Sequence, residues 1–151
     1  KKALILLTIP FLLGCSKPYK GPKVTLEKVE EGALVEISGE DILKRTKIDK
    51  LNTAYLLSES SCINCLKTKE KFLAFVEKNH CNIYYTDFSG TMSDEEYRNI
   101  SLAVDNGTGE TLPDNREFYV PMFLIFTEGY VAVKTVGYQD SIDALKYLDV
   151  K

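Results

Sequence analysis

Polar and apolar residues alternate along residues 24–29, with Val24 and Leu26 on one side and Thr25 and Glu27 on the other, the period of a half-buried strand. Residues 33–37 repeat the pattern after a turn at Glu31 and Gly32, and Ser38, with Asp41 three positions on, predicts a capped helix carrying Ile42, Leu43 and Ile48. Residues 53–57 are nearly continuously apolar, as suits a central strand covered on both faces. From Cys62 a helical stripe follows: Cys62, Cys65, Leu66, Phe72, Leu73 and Val76, broken only by Lys69, with a stop at Asn79. Residues 82–88 predict the next strand, so these segments form a strand–helix–strand unit with parallel strands. Ser93 and Glu96 form a capping box for a helix presenting Tyr97, Ile100 and Val104. After a turn-rich loop over 105–115, residues 122–126 and 130–136 flank Glu128 and Gly129 as an antiparallel hairpin that Pro121 precedes. A last helix, capped by Asp140 or Ser141, is expected to carry Ile142, Leu145 and Leu148. The alternation of strands and helices makes the fold class α/β, with a central mixed β-sheet flanked by helices.

The first residues do not belong to that pattern. Lys1 and Lys2 precede an apolar run over 3–13, interrupted by Thr8 and Pro10 and ending at Gly14 and Cys15. The run is shorter than the roughly 20 residues a spanning helix needs, so it reads as a cleaved leader. Leu12, Leu13, Gly14 and Cys15 resemble the lipobox of bacterial lipoproteins. That resemblance implies lipidation at Cys15 and attachment to the outer face of a bacterial membrane. Residues 1–14 are then a lipoprotein signal peptide, 15–32 a lipidated tether containing Pro18, Gly21 and Pro22, and 33–151 the folded domain. Losing the leader leaves 17 of the 19 Lys and Arg residues against 22 Asp and Glu, a balance of −5 that excludes nucleic acid as a natural partner.

Setting Cys15 aside leaves Cys62, Cys65 and Cys81, an odd number in an oxidising compartment. A CxxC pair plus one solitary thiol fits redox chemistry better than a disulfide scaffold. A helix start favours negative charge, which favours the thiolate of Cys62 and makes it the nucleophile. Cys65, one turn later and more buried, is the resolving thiol. Ile63 and Asn64 between them are expected to tune the redox potential. Lys67 and Lys69 are expected to add little, as surface lysines.

Cys62, Ile63, Asn64 and Cys65, followed far downstream by Val120 and Pro121 at a hairpin and by Gly129 and Gly137 at turns, resemble the thioredoxin-like superfamily over residues 33–151. Within it the layout is most similar to small exported proteins of the bacteriocin transport accessory type. The resemblance implies a cis peptide bond before Pro121, a groove in which Val120 offers its main chain to substrate, and metal ions kept from the thiols by Pro121. The chain departs from thioredoxins proper in having Ser61, Ile63 and Asn64 around the cysteines, and Leu56 where a buried acid assists proton transfer. Glu59 is the candidate replacement proton relay, set against a plainly solvated carboxylate.

The reading is a membrane-anchored, extracytoplasmic, monomeric thiol–disulfide oxidoreductase acting on exported cysteine-containing proteins and reset by a further redox partner. It needs no cofactor, because the cysteines carry the electrons. The alternatives are a non-catalytic binding or accessory module for an export system, and copper delivery, which the CxxC spacing and the lone His80 disfavour. Cys81 reads as a small buried apolar residue ahead of the alternative of a third redox thiol, and zinc on His80, Cys81, Cys62 and Cys65 is disfavoured because strand neighbours point to opposite faces. Tyr84, Tyr85, Tyr119, Tyr130 and Tyr138 read as packing residues.

Overall fold

The computed structural model describes residues 18–90, 92–105 and 119–151. The expected leader, Cys15 and most of the 105–115 loop lie outside them. The elements run β1 (Val24–Leu26), β2 (Ala33–Glu36), α1 (Gly39–Leu43), β3 (Thr53–Glu59), α2 (Ile63–Asn79), β4 (Asn82–Phe88), α3 (Asp94–Val104), β5 (Met122–Thr127), β6 (Tyr130–Val136), α4 (Tyr138–Asp143) and β7 (Leu148–Val150).

Five strands form one mixed sheet in the order β2-β4-β3-β5-β6. β2 and β3 both pair with β4 in parallel, whereas β3–β5 and β5–β6 are antiparallel. The apolar runs of β3 and β5 are central because each has two buried faces. Ala54, Leu56, Phe123 and Ile125 pack with Phe72 and Val76 of α2, and Tyr55, Leu57, Met122, Leu124 and Phe126 pack with Ile42 and Ile100 of α1 and α3. Pleat alternation therefore sorts one strand into two cores. Glu128 and Gly129 both have positive φ, 51° and 88°, as a two-residue hairpin turn requires.

Several expectations change. The segment 15–32 is not wholly a tether, since β1 pairs in parallel with β7, and Val24 and Leu26 are buried in the core beneath α2. The packed body thus starts before residue 33, because two apolar side chains are covered there. Leu148 opens β7 and does not sit on the last helix, which gives way to a 3₁₀ turn over Ala144–Tyr147 and begins at Gly137 without a side-chain cap. Asp140 and Ser141 lie inside α4. Ser38 caps α1 as expected, but the helix continues as a wide π turn over Lys44–Ile48 that leaves Ile48 70% exposed. Asn79 remains helical, and His80 ends α2 in the left-handed region. Leu66 and Leu73 face outward while Thr68 is buried, its hydroxyl satisfied by the Asn64 carbonyl at 2.7 Å. No described helix is long and apolar enough to cross a membrane.

Candidate functional site

The site begins where β3 leaves the sheet. Ser60 N–H donates to the Phe88 carbonyl and Cys62 N–H to the Glu59 carbonyl at 3.1 Å, closing a tight turn that sets Cys62 at the N-cap of α2. Its Sγ accepts the Cys65 backbone N–H at 3.1 Å, in the place a serine or aspartate oxygen takes in an ordinary cap. A thiolate there meets one of the unpaired donors of the first turn and the positive end of the helix. Cys62 is partly exposed, Cys65 is fully buried, and both are free thiols.

That difference has an electrostatic consequence. Burial pushes the Cys65 thiol up to about 12, and the adjoining Cys62 sulfur adds to the rise. A backbone hydrogen bond from Glu59 and the charge of Lys69 oppose it. Cys65 is therefore a protonated reserve at neutral pH, while Cys62 is the sulfur a client can reach.

Ile63 and Asn64 are exposed, and the Ile63 side chain stands 68% open beside Cys62. The Val120–Pro121 peptide bond is cis, as the resemblance implies. Met122 pairs with Leu57, so Pro121 enters the sheet at the end from which β3 delivers Cys62. The Pro121 carbonyl accepts the Gly137 N–H at 2.8 Å, and Gly137 holds φ 98°, a conformation that favours glycine. Pro121 is buried and Val120 half-buried against the core.

Glu59 turns its carboxylate to Ser61, accepting from both the backbone N–H and the hydroxyl. It braces the turn before Cys62. Leu56, at the position of the expected acid, is fully buried among Phe72 and Phe123 and offers no proton. His80 and Cys81 lie beyond the far end of α2, whose 17 residues span about 25 Å, so they cannot join Cys62 and Cys65 around one metal. No group of three potential ligands converges among the described residues. Cys81 is fully buried in the core, and burial pushes its thiol up to about 11, in keeping with a packing role. Tyr84 and Tyr85 carry the Arg45 guanidinium and the Lys69 ammonium over their rings. Tyr119 is exposed. Cys15 lies outside the described residues.

Sequence reasoning discounted Lys69 as a surface residue and missed Ser58 and Asp87. Lys69 is largely covered, and its Nζ lies 3.0 Å from Asp87 Oδ2, while Asp87 Oδ1 accepts the Ser58 hydroxyl at 2.7 Å. The i, i+4 spacing from Cys65 and the break in the apolar stripe were the available signals for Lys69.

No protein-family model matches the chain, and no curated protein sequence does. Solved structures do. Thioredoxin O2 from Arabidopsis thaliana, in its oxidized state, superposes with a TM-score of 0.51 at 16% identity, over 76% of this chain and 90% of its own. The fold is thioredoxin-like. Thioredoxin from Malassezia sympodialis gives 0.51 at 18% identity, over 78% of this chain and 90% of its own. Thioredoxin from Aeropyrum pernix gives 0.50 at 14% identity, over 78% and 94%. In this thioredoxin-like fold, Cys62 and Cys65 stand at the junction of β3 and α2, and Pro121 stands at the entry to β5.

Proposed function

We propose that the chain is a thiol–disulfide oxidoreductase working through Cys62 and Cys65. The observation that carries this reading is the asymmetry of the pair: an accessible sulfur capping a helix and a buried one a turn behind it. The accessible thiolate attacks a client disulfide, one client sulfur leaves as a thiolate, and a mixed disulfide links Cys62 to the other. Cys65 then displaces that sulfur, so the client gains two electrons and the pair closes as a disulfide. Run backwards, the same steps oxidise a client. The reading extends to a compartment and partners on the strength of the sequence alone: exported cysteine-containing proteins as clients, a further redox protein that resets the pair, and lipid on Cys15 as the anchor to a bacterial membrane.

The test is capture. A Cys65→Ser chain expressed in a bacterial envelope is expected to accumulate mixed disulfides that dithiothreitol dissolves, and a Cys62→Ser, Cys65→Ser chain none. Equal capture by both would remove the exchange reading. A second reading, a module that holds an extended partner without exchanging disulfides, is supported by the apolar Leu56 in place of an acid and by the exposed Ile63 and Leu66 beside Cys62. It requires that reduced protein fail to reduce a small aromatic disulfide.

A further inference from the structure

Lys69 and Asp87 form an ion pair shielded from water, their side chains 18% and 24% exposed, against 61% and 38% for Lys44 with Asp49. It sits on the α2 side of the sheet. The register aligns Leu56 with Tyr85 and Ser58 with Asp87, and Leu56 and Tyr85 pack in the core beneath α2, so pleat alternation puts Ser58 and Asp87 on that same face. On the helix, Cys65 and Lys69 are i, i+4 neighbours, whose Cβ atoms lie about 5–6 Å apart. Ser58 is fully buried and fixes one carboxylate oxygen of Asp87, the other oxygen holds the Lys69 ammonium, and the Tyr85 ring lies 4.6 Å from that ammonium. A long flexible cation is thereby fastened one turn behind the buried thiol.

We propose that Lys69 is the positioning residue for the resolving step: Asp87, itself anchored by Ser58, holds the Lys69 ammonium where it stabilises the thiolate that Cys65 must become. The proposal rests on the exchange reading of the pair. In the step concerned, the Cys65 thiol gives its proton to solvent, its thiolate attacks Cys62 Sγ of the mixed disulfide, the Cys62–Cys65 bond forms, the bond to the client breaks, and the electron pair departs on the client sulfur.

Burial opposes ionisation of Cys65, and the charge of Lys69 acts against burial. The other titratable groups on the Cys65 side of these elements are Cys62 at the α2 N-cap, Glu59 on β3, and Asp87 and Tyr85 on β4; Tyr55 and Tyr84 belong to the opposite core, and Lys67, Glu70, Lys71, Glu77 and Lys78 stand on the exposed side of α2. Glu59 is engaged by Ser61 and Asp87 by Lys69 and Ser58. Lys69 is thus the cation that this arrangement brings to the thiol.

The experiment uses the full chain with Cys15→Ala and Cys81→Ala, leaving two thiols, mixed in the reduced form with 5,5′-dithiobis(2-nitrobenzoate). The first release of thionitrobenzoate reports attack by Cys62, and the second reports displacement by Cys65. Lys69→Met is expected to slow the second phase about fivefold at pH 7 and to move its pH profile upward, leaving the first phase within about twofold, while Lys69→Arg restores the second phase. A Lys69→Met chain whose second phase keeps the parent's rate and pH profile overturns the proposal, as does a Lys69→Arg chain as slow as Lys69→Met. A parent chain that ends with reagent on both sulfurs and no second phase instead overturns the exchange reading itself.

Discussion

Cys62 caps α2, Cys65 lies within its first turn and Cys81 follows its far end, and the three differ in what covers them. In the folded chain Cys65 gives up its proton at about 12 and Cys81 at about 11, both above the ordinary thiol value of about 8.5–9 that the unfolded chain shows. The folded state therefore holds more protons than the unfolded state between these limits. The stability these two thiols contribute is fully present below about pH 8.5 and is lost as pH climbs toward about 11 and then about 12. Urea midpoints of the reduced protein are expected to fall between pH 8 and pH 10.5, and to fall less in Cys81→Ala. A midpoint indifferent to pH in that window would contradict the burial of both thiols. Much of this residue-scale picture was legible in advance, because the CxxC spacing and the helix behind it are local in sequence. Lys69, Ser58 and Asp87 were not, since their association depends on a register between β3 and β4 that no local pattern states.

Helices and turns show the same division between local and distant causes. Ser93 accepts the Glu96 N–H at 3.2 Å, half of the expected capping box, but the Glu96 carboxylate reaches across to the Gly39 N–H at 2.8 Å and caps α1. Gly39 is the residue that permits this approach, because a Cβ there would lie 3.0 Å from the Glu96 carbonyl and carboxylate oxygens. Glu96→Ala is expected to cost about 1 kcal/mol, measured by chemical denaturation, since it leaves a helix-start donor without its partner. Glu128 carries φ 51° in the β5–β6 turn, a conformation Asn adopts more readily, so Glu128→Asn is expected to raise stability by about 0.5 kcal/mol. Both hairpin strands were readable from their apolar runs and the glycine between them. β7 was not: three residues following a short helix carry no period of their own, and their pairing partner lies at the opposite end of the chain.

Over the whole molecule, the five-stranded sheet separates two cores, and β1 with β7 forms a second, two-stranded sheet. Leu26 is 3% exposed there, so Leu26→Ala is expected to destabilise the protein by about 2–4 kcal/mol, read as a lowered urea midpoint. A negligible effect would restore the whole of 15–32 to the status of a leash. For the proposed anchor, Cys15→Ser is expected to move the protein from the detergent phase to the aqueous phase in a cloud-point extraction of envelope material.

The partnership of β1 with β7 also sets an order of events. Polypeptides emerge amino end first, whether from a ribosome or from a translocation channel, and among the described strands the first, β1, bonds to the most distant, β7. Val24 and Leu26 therefore cannot complete their ladder until Leu148 to Val150 are available, so this clasp closes only after a loop of more than a hundred residues has been drawn together.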